Sequence, residues 1–293
     1  MAGFPPDWLA AREPADVAAR SSRLAGLVGD ELRQHTVLRA LDLATGTGAN
    51  FRYLAERLPK SQEWLLVDQD PHLLAEVTTR TKTWGAAGGI KVVPGGDGLL
   101  LRGDRLVCRC AIRRVDLVDV IGKVDPDIFA GRVLVTASAL LDLVSERWLH
   151  LLAARCAHVR AAVLFALTYD GGIRFSPEEP EDETIRELVN QHQRSDKGFG
   201  PALGPTAVDL AERLFAELGY HVERERSDWV LDRDARDLQR QLIEGWAKVA
   251  AEMAPPESAS IRSWQTRRLV HLAAGRSRLL TGHQDLAAWM PPM

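Results

Sequence analysis

The chain predicts an α/β fold built on a parallel, doubly wound sheet, and three observations carry that expectation. Short apolar runs recur at fairly even spacing, over 38–44, 64–67, 132–137 and 161–167. Each reads as a continuous hydrophobic stretch, the pattern of strands buried on both faces. The segments between them carry apolar residues three and four apart, the helical period.

The elements follow in order. Residues 7–34 are helical by the spacing of Trp8, Leu9, Val17, Leu24, Leu27, Val28 and Leu32, with a break at Ser21-Ser22. The run 38–44 is a strand that enters the turn Thr45-Gly46-Thr47-Gly48. Asn50 is placed to cap the next helix, which buries Phe51, Leu54, Ala55 and Leu58 and closes at Pro59. Trp64-Leu65-Leu66-Val67 is the second strand, with Asp68 at its end, and Pro71 opens another helix. Strands at 99–101 and 106–112 flank Gly103-Asp104 as a hairpin, and the second carries on to Asp116-Leu117. A fourth strand at 132–137, a helix capped by Ser145, and a fifth strand at 161–167 ending in Thr168-Tyr169-Asp170 come next. The polar segment 176–205 holds a short helix at 184–192. Residues 206–218 form an amphipathic helix stopped by Gly219. A strand at 220–231, helices at 234–253 and 258–274 split by Pro255-Pro256, a last strand at 277–281 and a Met-Pro-Pro-Met tail complete the chain.

Composition narrows the function. With 293 residues, 46% hydrophobic and 26% charged, the chain is an ordinary soluble globular one. Its formal charge of −3 disfavours a surface that clings to nucleic acid or anionic lipid. Thirty-one arginines against six lysines reflect composition more than a cluster with a role. Cys108, Cys110 and Cys156 are too few for a disulfide framework and read as packing residues, with no metal site. The first nine residues show no leader pattern and no apolar run is long enough to span a bilayer, so a cytoplasmic protein is expected.

Ligands of an open parallel sheet bind at the carboxyl ends of its strands. There the first strand gives Asp42-Leu43-Ala44-Thr45-Gly46-Thr47-Gly48-Ala49-Asn50, whose glycines let backbone amides approach a ligand. Asp68, 20 residues past Gly48, is a carboxylate that can accept from a ribose diol, with Gln69 beside it. Asp116, followed by Leu117, can accept from an adenine amino group, and Ala137 and Ser138 end the fourth strand.

This combination resembles the class I S-adenosylmethionine-dependent methyltransferases over roughly residues 36–231. The family's acid and alternating glycines correspond to Asp42, Gly46 and Gly48, its second acid to Asp68, and its third to Asp116. Ala44 departs from the pattern, standing where the family often has its first glycine, so a slightly altered turn is expected. The resemblance implies a Rossmann-like, mostly parallel seven-stranded sheet with a last antiparallel strand. N-terminal and C-terminal helical additions would flank it. The expected division is a helical cap at 1–36, a core at 37–231 with 176–205 as an inserted lid segment, and C-terminal helices and final strand at 232–293. S-adenosylmethionine is the implied cofactor and a small molecule, methylated at O, N or C, the implied acceptor. Three other readings stay open: a cofactor-binding protein without catalysis, a tRNA or protein methyltransferase, and a nicotinamide-dinucleotide oxidoreductase. The last needs a third glycine where Phe51 stands. The Asn/Asp-Pro-Pro-aromatic turn of base-amino methylation is absent from 136–142.

A base is needed only if the acceptor holds its proton. Tyr169 and Asp170, after the fifth strand, and His192 are the catalytic candidates. Asp142, Gln193, Lys197 and Phe199 are the candidates for acceptor binding. The 190–200 segment reads either as a lid over the acceptor or as a solvated helix end with its exit turn. The helix at 8–20 either brings Arg12 or Arg20 to the cofactor's carboxylate or packs with its charges outward. Trp8, Trp148 and Trp264 are candidates to line an acceptor pocket.

Overall fold

The computed structural model describes residues 5–118 and 128–291. The start of the stretch searched for a leader and the end of the Met-Pro-Pro-Met tail lie outside them. Helices α1 (Pro6–Ala19) and α2 (Ser22–Glu31) part at the expected serines, and the Ser21 hydroxyl accepts the Leu24 N–H at 3.0 Å. The order continues β1 (Leu38–Leu43), α3 (Ala49–Ala55), β2 (Ser61–Asp68) and α4 (Pro71–Ala87). An antiparallel meander follows: β3 (Lys91–Gly95), β4 (Gly98–Gly103) and β5 (Leu106–Arg114). Then come β6 (Leu134–Ser138), α5 (Glu146–His158), β7 (Ala162–Ser176), α6 (Asp182–Gln193) and α7 (Ala207–Glu217). The last elements are β8 (His221–Arg226), β9 (Trp229–Leu231), α8 (Arg236–Met253), α9 (Ser258–Ala273) and β10 (Arg278–Trp289).

Among the described residues ten strands form one sheet in the order β3-β4-β5-β2-β1-β6-β7-β10-β8, with β9 also on β10. The pairs β5/β2, β2/β1, β1/β6 and β6/β7 are parallel, and β10 is antiparallel to β7, β8 and β9. The fold is therefore the expected doubly wound α/β sheet with an antiparallel closing strand, widened by β3, β4 and β9. Strand order runs one way from β1 to β2 and β5 and the other way to β6 and β7. The crevice between β1 and β6 is thus a topological switch point, where such sheets take their ligands.

Period-two burial divides the core. Leu41, Leu43, Val135 and Phe165 face α5 and α7, while Leu38, Ala40, Trp64, Leu66 and Leu164 face α2, α3 and α4. A third cluster lies beyond the sheet's carboxyl edge, where α6, α8 and α9 cover Tyr169, Ile173, Phe175 and Leu279, with Trp8 and Ala15 of α1 packed against it. Truncating one such buried leucine to alanine costs about 2–5 kcal/mol.

Five expectations are corrected. Asn50 does not cap α3; Gly48, left-handed at φ 81°, holds the cap position, and Asn50 is buried as the second residue of the helix. β5 stops at Arg114, before Asp116. The fifth strand does not end before Tyr169, and the last strand does not end at Thr281. β7 and β10 run 15 and 12 residues, pairing with each other past the edge of the parallel sheet, where each satisfies the other's backbone groups. The stretch 220–231 is two strands, β8 and β9, both on β10.

Candidate active site

The site starts from a buried polar chain under the first turn. Asp42, fully buried in β1, accepts from the Thr45 hydroxyl at 2.5 Å and from Asn50 Nδ2 at 2.6 Å. Asn50 Oδ1 in turn accepts from Arg20 Nη1 at 2.6 Å, and Arg20 Nη2 donates to Ser138 Oγ at 2.8 Å. Burial pushes the Asp42 carboxyl up to about 6, against its hydrogen bonds from Thr45 and Asn50 and the Arg20 charge. Arg20 is lowered by the same burial. Asp42 thus sets the turn from below, buried away from the space above it. Ala137 of β6 is buried in the core, and Gly48 ends the turn at the cap position of α3.

Above this chain lies a cleft of about 150 Å³. Asp68 faces it from the end of β2, with Oδ2 accepting the Gly46 N–H at 2.8 Å and Oδ1 the Asp70 N–H at 2.9 Å. Two backbone donors fix the carboxylate and leave lone pairs free for a ligand. Burial raises its pKa despite those bonds. Around it Leu73, Leu117, Leu140 and Leu143 make an apolar slot, with Gln69 and Phe199 on the rim. Ala44 lines the same cleft in the left-handed region at φ 49°, a conformation a glycine would take without strain. A smaller lobe of about 70 Å³ continues over Thr45, Thr47, Asn50 and Ser138 to Asp16 and Arg20. Thr47 Oγ1 and Arg20 Nε are buried there without a partner. Asp116 does not reach the cleft: its carboxylate is exposed and accepts from the Val118 N–H at 2.9 Å, while Leu117 turns inward.

Helix α1 covers both spaces with Leu9 and Arg12, and Asp16 is buried while Asp7 stays exposed, so its charges do not all face outward. Arg52 of α3, 3% exposed, donates to Thr47 O at 2.7 Å and forks onto Glu13 at 2.7 and 2.8 Å, tying α1 to the glycine turn. Arg12 pairs with Asp16 and lies with its guanidinium 4.9 Å from the Trp229 ring centroid.

Beyond Arg12 opens a chamber of about 390 Å³. Arg12, Ala139 and Leu143 line both cleft and chamber, so the two spaces meet at the turn after β6. Of the expected residues, Asp142, Tyr169, His192, Gln193 and Lys197 line the chamber, and Phe199 lines the cleft instead. Asp170 lines neither; its carboxylate accepts from the Gly172 N–H and from Gln284 Nε2. Tyr169 gives its hydroxyl hydrogen to Asn190 Oδ1 at 2.8 Å, and burial raises its pKa, which makes it a wall and not a base. Lys197 Nζ donates to His192 O at 3.0 Å and Ser195 Oγ at 2.9 Å and lies 3.3 Å from His192 Nδ1. Burial and then the Lys197 charge lower the His192 pKa, so the imidazole is neutral at pH 7. Asp142 is pushed up to about 6 by burial, opposed by Arg12 and Lys197.

Sequence reasoning missed Trp229, Trp246, Thr281 and His283, all on the chamber wall. They come from α8, β9 and β10, and no local motif marks them. Of the three tryptophans named from sequence, Trp8 lines the chamber; Trp148 bonds to Leu117 O and Trp264 to Asp182. Among the described residues no group of His, Cys, Asp and Glu is placed to hold a metal, and no helix is long and apolar enough to cross a membrane.

No sequence-family model and no curated protein matches this chain. Solved structures do. A SAM-dependent methyltransferase from Geobacter sulfurreducens, in complex with S-adenosyl-L-homocysteine, is similar at 17% identity over 100% of both chains, with a TM-score of 0.46. One from Thiobacillus denitrificans, with the same compound, shows 13% identity over 98% of this chain and 99% of its own, with a TM-score of 0.45. Haemonchus contortus phosphoethanolamine N-methyltransferase 2 shows 15% identity and a TM-score of 0.44, over 97% of this chain and 57% of that one. The chain thus spans little more than half the length of the Haemonchus enzyme.

Proposed function

We propose that the chain is an S-adenosylmethionine-dependent methyltransferase that acts on a small-molecule acceptor. The observation that carries this reading is the junction of cleft and chamber at Arg12, Ala139 and Leu143. It gives two ligand sites within reach of one another at the switch point of the sheet. The cleft suits an adenosine: Asp68 offers lone pairs to a ribose diol, and Leu73, Leu117 and Leu140 offer an apolar slot to a base. The unpartnered Thr47 Oγ1 and Arg20 Nε, with Arg12 beside them, suit the amino-acid end. When bound, the cofactor supplies a methyl group already activated for displacement. The chain's own work is then to hold two molecules in line and keep water out, the proximity contribution to rate. Neutral His192 or Asp142 is placed to take a proton where the acceptor has one to lose. The chamber volume fits a small molecule rather than a macromolecular strand. Three buried free cysteines agree with a reducing, cytoplasmic setting.

Calorimetry with S-adenosylhomocysteine tests the reading. The intact chain is expected to bind, and Asp68→Ala to bind at least about tenfold more weakly, the worth of a charge-assisted hydrogen bond. No binding by the unaltered chain, or undiminished binding by the variant, overturns it. Transfer of a labelled methyl group to an acceptor then separates an enzyme from a binding protein.

A further inference from the structure

The chamber's own chemistry points to the class of acceptor, an inference that rests on reading it as the acceptor site. Its walls are flat and aromatic on several sides, with Trp8, Tyr169, Trp229 and Trp246. Such walls accept either a cation over a ring face or a planar ring. Charge decides between them. One face of Trp229 is already covered by Arg12, whose partner Asp16 also accepts the Trp229 Nε1 hydrogen at 3.0 Å. Lys197 makes no ion pair among the described residues. Among the described residues Asp142 is the one carboxyl on the wall, and His283 is kept neutral by burial. Arg12 is partnered by Asp16 and already occupies the Trp229 face, and Lys197 already faces Asp142, so the places a guest cation would take are filled, which disfavours an ammonium guest and favours a neutral or anionic one. Unpartnered buried atoms set the polar pattern the guest must answer. Trp8 Nε1 needs an acceptor, Asp142 Oδ1 is an open acceptor on a side chain 5% exposed, and Thr281 Oγ1 can do either. Burial without partners is costly, so a ligand that meets both needs is favoured.

We infer that the chamber binds a planar aromatic molecule bearing an ionisable hydroxyl, and not an ammonium compound. Its hydroxyl stays protonated and donates to Asp142 Oδ1, its ring lies among Trp8, Trp229 and Trp246, and any separate acidic substituent on the ring faces Lys197 and Arg12.

Quenching of tryptophan fluorescence on the full chain, with and without saturating S-adenosylhomocysteine, reads the binding of three probes. These are 4-hydroxybenzoate, benzyltrimethylammonium, and 4-hydroxycyclohexanecarboxylate as the non-aromatic control. The expected result is binding of 4-hydroxybenzoate at least about tenfold tighter than either other probe. Asp142→Asn and Lys197→Met are each expected to weaken it about tenfold while leaving affinity for S-adenosylhomocysteine unchanged. Equal or tighter binding of the ammonium probe or of the cyclohexane analogue overturns the inference. So does failure of 4-hydroxybenzoate to bind at millimolar concentration, or indifference to both substitutions. If S-adenosylhomocysteine does not bind while the hydroxybenzoate preference holds, the methyl-transfer reading falls and the chamber's ligand class stands. If it binds and the preference is reversed, only the ligand class falls.

Discussion

Asp142 illustrates how one buried carboxyl ties stability to function. It is 5% exposed, its Oδ1 lacks a partner, and burial raises it from 3.8 to about 6. Arg12 from α1 and Lys197 after α6 face it as cations, with Tyr169 and His192 as the neutral titratable neighbours. A carboxyl whose folded-state pKa is raised contributes stability that is complete below its unfolded value and is lost as pH rises through its folded one. The window here runs from pH 3.8 to about 6, and the contribution is at most about 3 kcal/mol. Asp142→Asn, a mimic of the protonated form, should therefore unfold at a higher temperature than the unaltered chain at pH 8. Near pH 4 the two should coincide. Thermal melts at pH 4, 6 and 8 check this, and a gap that is constant across pH refutes the assignment. Residue roles were only partly legible in the sequence. Asp42 and Asp68 both read as strand-end acids, yet one faces under the turn and one faces the cleft. A one-residue step along a strand reverses the face, and spacing alone does not reveal which face a turn will cover.

Among the elements, the parallel strands were legible because burial on both faces leaves an unbroken apolar signature, as in β1, β2 and β6. β3 left none: Lys91-Val92-Val93-Pro94-Gly95 is short, partly exposed and carries the residues that usually end strands. The extensions of β7 and β10 were hidden by polar and glycine residues, 168–172 and 282–285, whose backbones pair only because the two strands meet. The meander offers a direct test. A Cβ on Gly98 would lie 1.9 Å from the Cys110 carbonyl oxygen, a backbone atom on the partner strand. Gly98→Ala must push β4 off β5, and a loss of about 2–3 kcal/mol in urea unfolding is expected. Helix α1 offers another, since its anchor is the Glu13–Arg52 fork. Glu13 is partly exposed, so Glu13→Ala should cost about 2 kcal/mol, less than a fully buried pair. Hydrogen exchange should quicken in 6–19 before it does in 38–43; uniform quickening would mean that the helix and the sheet open together.

Across the whole molecule, the cleft was legible and the chamber was not. The cleft comes from local turns at the ends of β1 and β2, where a few adjacent residues carry the chemistry. The chamber draws its walls from Trp8 to His283, through α1, β7, α6, α8, β9 and β10, and no window of sequence contains it. Ligand binding should therefore stabilise the fold as a unit. S-adenosylhomocysteine at a hundred times its dissociation constant should add about 2.7 kcal/mol and raise the melting temperature by about 5 °C. At the same concentration Asp68→Ala, binding about tenfold more weakly, should gain only about 1.4 kcal/mol, roughly half the shift. The place of β10 has a consequence in time. Among the described residues β8 and β9 find their sheet partner in β10 alone, which is made after both α8 and α9. At about 5–20 residues per second, a growing chain carries those two strands unpaired for some seconds. Through that interval the edge of β7 also stands open, so a ribosome paused within α9 holds out a half-built sheet that a chaperone, or another nascent chain, can bind.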